Sequence, residues 1–271
     1  MQTYPRIELA IFDDCSENFP REKIEQYIEC NKRENIVNVI IYQSPENQGT
    51  VKNFNNVIKN TTGKYLLGAG IDDILHDPNV FEKVVNYFEE TGAGIVTCYK
   101  EEISPTGEAL RQTPSHANAK RIKLATAHEL YKMIAMGVAV AGAGTYYARQ
   151  IFEEVGLFDE RYRLQEDGPF FLKATREGHK IHFLEIVAVK YRMGSGISSG
   201  KDLHPYLKID INNMLQNEIL PYMKDFNFWE RRRVLYQVER FKLPKNLSRL
   251  QKLKFILKYF DVVWYRRVMA R

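Results

Sequence analysis

The chain has 271 residues, 44% hydrophobic and 27% charged, an ordinary globular composition with room for one large domain or two small ones. Its net charge of +5 conceals an uneven spread: Ile219 to Arg271 carries about 14 Lys or Arg against about 4 Asp or Glu, so a basic tail follows a mildly acidic body and suggests an anionic surface as the tail's partner. No apolar run approaches the ~18 residues of a membrane span, the first residues lack a signal-peptide pattern, and Cys15, Cys30 and Cys98 form no CxxC or metal-ligand spacing, so a cytoplasmic protein in a reducing compartment is expected.

In chain order, a short apolar strand over Ile7–Asp14 runs into acidic residues, a helix follows over Arg21–Glu34, and a second strand over Asn38–Gln43. After a loop, Val51, Phe54, Val57 and Ile58 repeat at helical spacing within Thr50–Thr61. Gly63–Gly70 reads as a third strand, Pro78–Glu90 as an amphipathic helix with Pro near its start, and Ala93–Ile103 as a fourth strand. Strands alternating with helices predict an α/β fold with a largely parallel sheet. Beyond Ile103 the pattern loosens: a polar loop to Lys120, a helix over Thr126–Gly137, small residues running into a helix over Val138–Gly156, and a helix over Gln165–Gly178. One or two strands are expected over Lys180–Met193, then a Gly/Ser-rich loop over Gly194–Gly200. From about Asp202 the chain reads as helical, with a break near Lys242–Leu250.

Three acidic pairs stand out. Asp13–Asp14 and Asp72–Asp73 fall at predicted strand ends, and Glu166–Asp167 opens a helix. Ligands of α/β sheets bind outside the carboxyl ends of parallel strands. Carboxylates gathered there repel one another, and a divalent cation is the simplest offset; Mg2+ commonly takes one or two carboxylates plus substrate phosphates. Each pair also has a plain structural role open to it, as helix cap or turn, with Asp73 a candidate cap for the helix that follows. Gly49, near Asn47, Lys52 and Asn55, belongs to a turn or admits a ligand close to the backbone. No Walker A loop, no GxGxxG after the first strand and no GxSxG elbow is present.

In this order the blocks QTYPRIELAIFDDCSEN, ENQGTVKNFNNVIKNTTGKYLLGAGIDDIL, GLFDERYRLQEDGPFFLKATREGHKI and YRMGSGIS, from Gln2 to Ser199, resemble the family 2 glycosyltransferases, above all those building bacterial surface polysaccharides. The resemblance implies the GT-A fold over residues 1–200, with residues 201–271 as a helical basic region. It implies inverting transfer of a sugar from a nucleotide-diphosphate donor, UDP by family habit, to a glycan or lipid-linked acceptor in the cell envelope. Asp13 falls where the family contacts uracil and ribose, with Asp14 beside it, and Asn55 on the family's helix asparagine. Asp72 falls on the last acid of the metal-binding DxD, Asp73 on the acid that often follows, and Mg2+ or Mn2+ is the implied cofactor. Glu166–Asp167 fall on the ED pair, with Asp167 the implied catalytic base. The chain departs from the family at Gly70, where DxD has Asp, and after Tyr191-Arg192, where a His is common. The family's first strand and helix have no counterpart, so a preceding segment of roughly thirty to forty residues is expected from the resemblance.

A catalytically defective sugar-nucleotide or glycan binder is the alternative. A nucleotidyltransferase would want a glycine-rich basic loop after its first strand, and none is seen. In the tail, Leu250, Leu253, Ile256, Leu257, Phe260, Val263 and Trp264 recur at helical spacing beside Lys252, Lys254, Lys258, Arg266 and Arg267. Such a helix lies on an anionic membrane or packs its apolar face on the body; nucleic acid is not the expected partner, since the aromatics do not interleave with the basic residues.

Overall fold

The computed structural model describes residues 2–194, 196, 203–244 and 246–269. The Gly/Ser-rich loop at 195 and 197–200, and the side chains of Arg266 and Arg267, lie outside the described residues. The elements are β1 (Ile7–Asp13), α1 (Arg21–Asn31), β2 (Ile36–Gln43), α2 (Thr50–Asn60), β3 (Tyr65–Leu66), β4 (Ile74–Leu75), α3 (Val80–Thr91), β5 (Ile95–Ile103) and β6 (Ala109–Thr113). There follow α4 (His116–Leu124), α5 (Ala127–Ala135), β7 (Thr145–Ala148), α6 (Gln150–Glu154), α7 (Asp167–Arg176) and β8 (Ile181–Arg192). The chain closes with α8 (Pro205–Met214), which continues through a wide and then a tight turn to Asp225, and with α9 (Phe228–Lys242), α10 (Arg249–Lys258) and α11 (Phe260–Met269).

The α/β architecture is as expected, but the larger sheet is mixed and mainly antiparallel rather than largely parallel, because its short strands pair as antiparallel neighbours. β1 and β2 pair in parallel as a two-stranded unit, and the larger sheet runs β3-β7-β5-β8-β4 with β6 also on β5. Within it β5 and β8 are parallel, and the pairs β3·β7, β5·β7, β5·β6 and β4·β8 are antiparallel. β5 is buried on both faces. Val96 and Cys98 join α3's Val80, Val84 and Phe88, while Ile95 and Tyr99 join the core under α2 and α4–α7. One edge of β5 changes neighbour along its length: Ile95–Thr97 pair with β7, and Lys100–Ile103 with β6. At that change the parallel β5·β8 ladder shifts register on both sides of Tyr99, and such irregularities re-aim side chains.

Several expected boundaries move. The strand expected over Gly63–Gly70 is only Tyr65–Leu66, because its antiparallel neighbour β7 meets it at two residues. The polar stretch after Ile103 holds β6, folded back through a turn at Gly107 (φ +96) in which Gly107 N donates to Ser104 O at 2.9 Å. β7 lies within the small-residue run before α6, and Lys180–Met193 forms a single strand, β8. Asp73 is not a helix cap: it precedes β4, while α3 starts at Val80 after Asn79.

The C-terminal helices divide in two. Leu215, Ile219, Phe226, Val234 and Val238 share one buried cluster with Tyr131, Ala135 and Leu172 of α5 and α7. The junction of α10 and α11 instead packs on α9. Lys258 Nζ bonds Glu239 at 2.7 Å, Tyr259 meets Tyr236 with ring centroids 5.5 Å apart, and Arg232 holds Asp261 at 2.7 Å.

Candidate active site

Both carboxylates at the end of β1 are engaged within the fold. Asp13 accepts from Ser16 N at 2.8 Å and Ser16 Oγ at 2.6 Å, closing a turn in which Cys15 takes a φ of +67. Asp14 accepts from Gln48 N and Gly49 N, each at 2.8 Å, and so holds the loop before α2. Gly49 is required there by packing. Its φ is +89, and a Cβ would stand 2.5 Å from Arg163. The close approach is therefore to Arg163. On α2, Lys52 is exposed, and Asn55 is buried at 1% exposure. The Asn55 amide donates to Phe158 O at 2.9 Å and Glu160 Oε1 at 3.0 Å and accepts from Phe158 N at 3.1 Å, fastening α2 to the segment that leads to Glu166.

That segment is anchored from the far end of the chain. Asp210, on α8 and 2% exposed, accepts on one oxygen from three consecutive backbone N–H groups: Arg163 at 2.9 Å, Leu164 at 2.6 Å and Gln165 at 3.2 Å. Arg163 also reaches Asn47 O at 2.8 Å, and Val51 N donates to Arg163 O at 3.2 Å. The acidic pair starts directly after these contacts. Sequence reasoning passed over Asp210 because a lone aspartate in a polar helix carries no local signal.

Glu166 and Asp167 keep a little exposure while protein surrounds them otherwise. Tyr147, within electrostatic reach of both acids, joins Phe152, Phe158 and Phe170 in an aromatic floor, with Phe158 and Phe170 centroids 5.0 Å apart. Loss of water pushes the Glu166 carboxyl up to about 8, helped by the neighbouring Asp167 charge. Burial likewise raises Asp167, against hydrogen bonds from the Gly168 and Gly142 backbone and the charge of Lys100. Gly142 approaches so closely that a Cβ on it would stand 2.8 Å from Asp167 Oδ2.

Asp72 and Asp73 converge over Gly70: a Cβ placed there would lie 3.2 Å from Asp72 Oδ1 and 3.1 Å from Asp73 Oδ2. Burial raises Asp73, opposed by backbone N–H groups of Arg192 at 3.4 Å and Gly70 at 3.3 Å. Among the described residues no group of three or more His, Cys, Asp or Glu side chains could hold a metal. Two converging carboxylates fit a Mg2+ or Mn2+ ion that also takes phosphate and water oxygens, and not one enclosed by protein ligands alone. Lys100 lies within the electrostatic reach of both Asp73 and Asp167. It connects these two acidic ends, whereas Asp13, Asp14 and Gly49 form a separate cluster joined to Asp167 through the Arg163–Gln165 segment.

Two measurements probe this geometry. Asp210→Ala leaves three backbone donors without their acceptor and should cost about 3 kcal/mol or more in urea unfolding, with Asp210→Asn costing less. Raised carboxyls bind protons more tightly folded than unfolded, so the stability they lend is full below the ordinary carboxylate range and is lost as pH rises through about 8 for Glu166. Going from about pH 6 to about pH 9 should therefore lower the wild-type thermal midpoint by several degrees more than that of Glu166→Gln.

Residues 1–156 match the family described as glycosyl transferase family 2. The fold is similar to that of S. aureus TarS, at 16% identity and a TM-score of 0.57, covering 92% of this chain and 40% of that one. Against TarS 1–349 in complex with UDP-GlcNAc the TM-score is 0.61 at 16% identity, covering 96% and 73%. GalNAc-T7 with UDP, GalNAc and Mn2+ gives 0.58 at 16% identity, covering 93% and 48%. The chain thus spans less than half the length of the TarS and GalNAc-T7 chains, and about three quarters of TarS 1–349. Its fold is GT-A, and with over half its residues matched, the chain belongs to glycosyl transferase family 2.

Proposed function

We propose that the chain moves a sugar from a UDP-sugar to a hydroxyl of a glycan or lipid-linked acceptor, with inversion, in bacterial cell-envelope polysaccharide synthesis. The observation that carries this reading is the Glu166–Asp167 pair on its aromatic floor. Removed from water, one carboxyl retains a proton near neutrality while its neighbour is available as a base. Asp167 takes the proton of the acceptor hydroxyl as that oxygen attacks the anomeric carbon, and Glu166, still protonated, adds no second negative charge beside it. A single displacement inverts the centre. A divalent metal held by Asp72 and Asp73 with the donor phosphates would supply Lewis-acid stabilisation of the departing diphosphate. TarS bound to UDP-GlcNAc and GalNAc-T7 bound to UDP and Mn2+ support the choice of donor and of metal. Asp13 and Asp14 are proposed to border the nucleotide through the turn and loop they hold, with exposed Lys52 on the α2 side, while buried Gly49 and Asn55 hold that side in place through Arg163 and Phe158. A second reading, a binder that holds the donor without transferring its sugar, is favoured by Gly70, where an acid is expected.

A thermal-shift panel of nucleoside diphosphates with and without Mn2+ tests the donor, with UDP expected to give the largest metal-dependent rise. Asp167→Asn should keep UDP binding and lose about 10²–10⁴-fold in sugar transfer. Wild-type transfer no faster than that of the variant would favour the binder.

The reading includes a seat on the cytoplasmic face of a membrane. Among the described residues no helix is long and apolar enough to cross a bilayer. Phe255, Tyr259 and Val262 pack beside Tyr236, whereas Leu250, Leu253, Leu257, Phe260 and Trp264, on the opposite side at helical spacing, are 52–65% exposed. Arg249, Lys252 and Lys254 flank this stripe, a pattern suited to an anionic bilayer. Co-sedimentation with phosphatidylglycerol vesicles should fall about tenfold in Leu253→Asp/Leu257→Asp, with an unchanged thermal midpoint; equal pelleting would remove the membrane from the reading.

A further inference from the structure

Lys100 was not singled out by its sequence context, and its surroundings set it apart from the other lysines. Backbone pairing puts it opposite Val189 on β8, yet its Nζ lies 3.9 Å from the centroid of the Tyr191 ring. β5 and β8 are parallel, so the side chain leans toward their carboxyl ends, where α/β sheets take their ligands. A register shift of the β5·β8 ladder lies directly before it.

The charged groups facing Lys100 are Glu102, Asp73, Asp167 and Arg111. Each of the three acids is engaged elsewhere. Glu102 accepts from Arg111 at 2.6 Å, Asp73 from the Gly70 and Arg192 backbone, and Asp167 from Gly168 N at 2.6 Å. Among the described residues no carboxylate stands within 4.0 Å of the Lys100 ammonium, whose close neighbour is the Tyr191 ring. A half-buried ammonium without a direct anion is costly unless an anion arrives. The two acidic ends of the site hold its charge between them without capping its donors. What fits is a polyanion that reaches from Asp72–Asp73 toward Asp167.

We infer that Lys100 binds the diphosphate of the donor, as a fixed cation between the Asp72–Asp73 pair and Asp167. The inference rests on the glycosyl-transfer reading and adds to it a second source of positive charge that the chain itself carries. As the bond from the anomeric carbon to the diphosphate oxygen breaks, the electron pair goes to that oxygen, and the ammonium offsets the charge developing there. Burial depresses the Lys100 pKa while Glu102, Asp73 and Asp167 raise it, so the surrounding acids favour its charged form.

Calorimetric titration of UDP and UMP into wild type, Lys100→Met and Lys100→Arg, each in EDTA and in Mn2+, decides the matter. Methionine preserves an unbranched apolar stem against Tyr191 and removes the ammonium, with its charge and its three donors. Lys100→Met should weaken UDP binding at least tenfold in both media and leave UMP within about twofold, and Lys100→Arg should recover part of the loss. Wild type in EDTA should retain measurable UDP binding. Equal UDP affinity in wild type and Lys100→Met overturns the inference and leaves the glycosyl-transfer reading standing. Parallel loss of UDP and UMP, with a lowered thermal midpoint, also overturns it, since that marks a packing role. A wild type that binds neither nucleotide overturns the donor reading, and this inference falls with it.

Discussion

Three consecutive backbone N–H groups, those of Arg163, Leu164 and Gln165, point at one oxygen of Asp210. A buried carboxylate is stable only when such donors surround it, and buried N–H groups need an acceptor. Each side therefore requires the other. The segment is also fixed by Gly49 and Val51 from the start of α2 and by Asn55 through Phe158. Elements from the beginning, middle and end of the chain thus meet at the residues just before Glu166–Asp167. The direction in which α7 presents its acidic start follows from that junction.

The same junction sets the chemistry. Tyr147, packed with Phe152, Phe158 and Phe170, lies within electrostatic reach of both buried acids, and Gly142 brings a backbone N–H against Asp167. Two carboxyls so close in a dry setting resist holding two charges. A side chain on Gly142 would displace Asp167, so the position of that acid requires glycine there. At the other acidic end, Gly70 is where Asp72 and Asp73 come together, and Lys100 stands between the two ends.

The basic C-terminal region is two different things. α8 and α9 complete the core that α5 and α7 begin, and Asp210 and Glu218 reach back to the body, the latter to Arg176 at 3.0 Å. α10 and α11 touch mainly α9, through a ladder of ion pairs and rings. Their apolar residues are shared between that contact and an exposed stripe on the opposite side of the helical run.

Local sequence determined the elements whose periodicity depends on near neighbours: α2 and α3 from their apolar spacing, β1, β2 and β5 from apolar runs, and α7 with its acidic start. It also carried the family, because the ordered blocks around Asp13 and Asp72 survive as a linear pattern within the matched residues 1–156. Short strands were harder to read, since β3, β4 and β6 exist only through what pairs with them. Asp73 resembled a helix cap because its neighbours resemble a helix start, yet β8 claims the residues directly after it for the sheet. Tertiary structure alone decided the contacts of Asn55, Asp210, Gly142 and Lys100. Each depends on a group many residues away in the chain, and distance along a chain leaves no trace in local composition, whereas burial, charge and hydrogen bonding act only through distance in space.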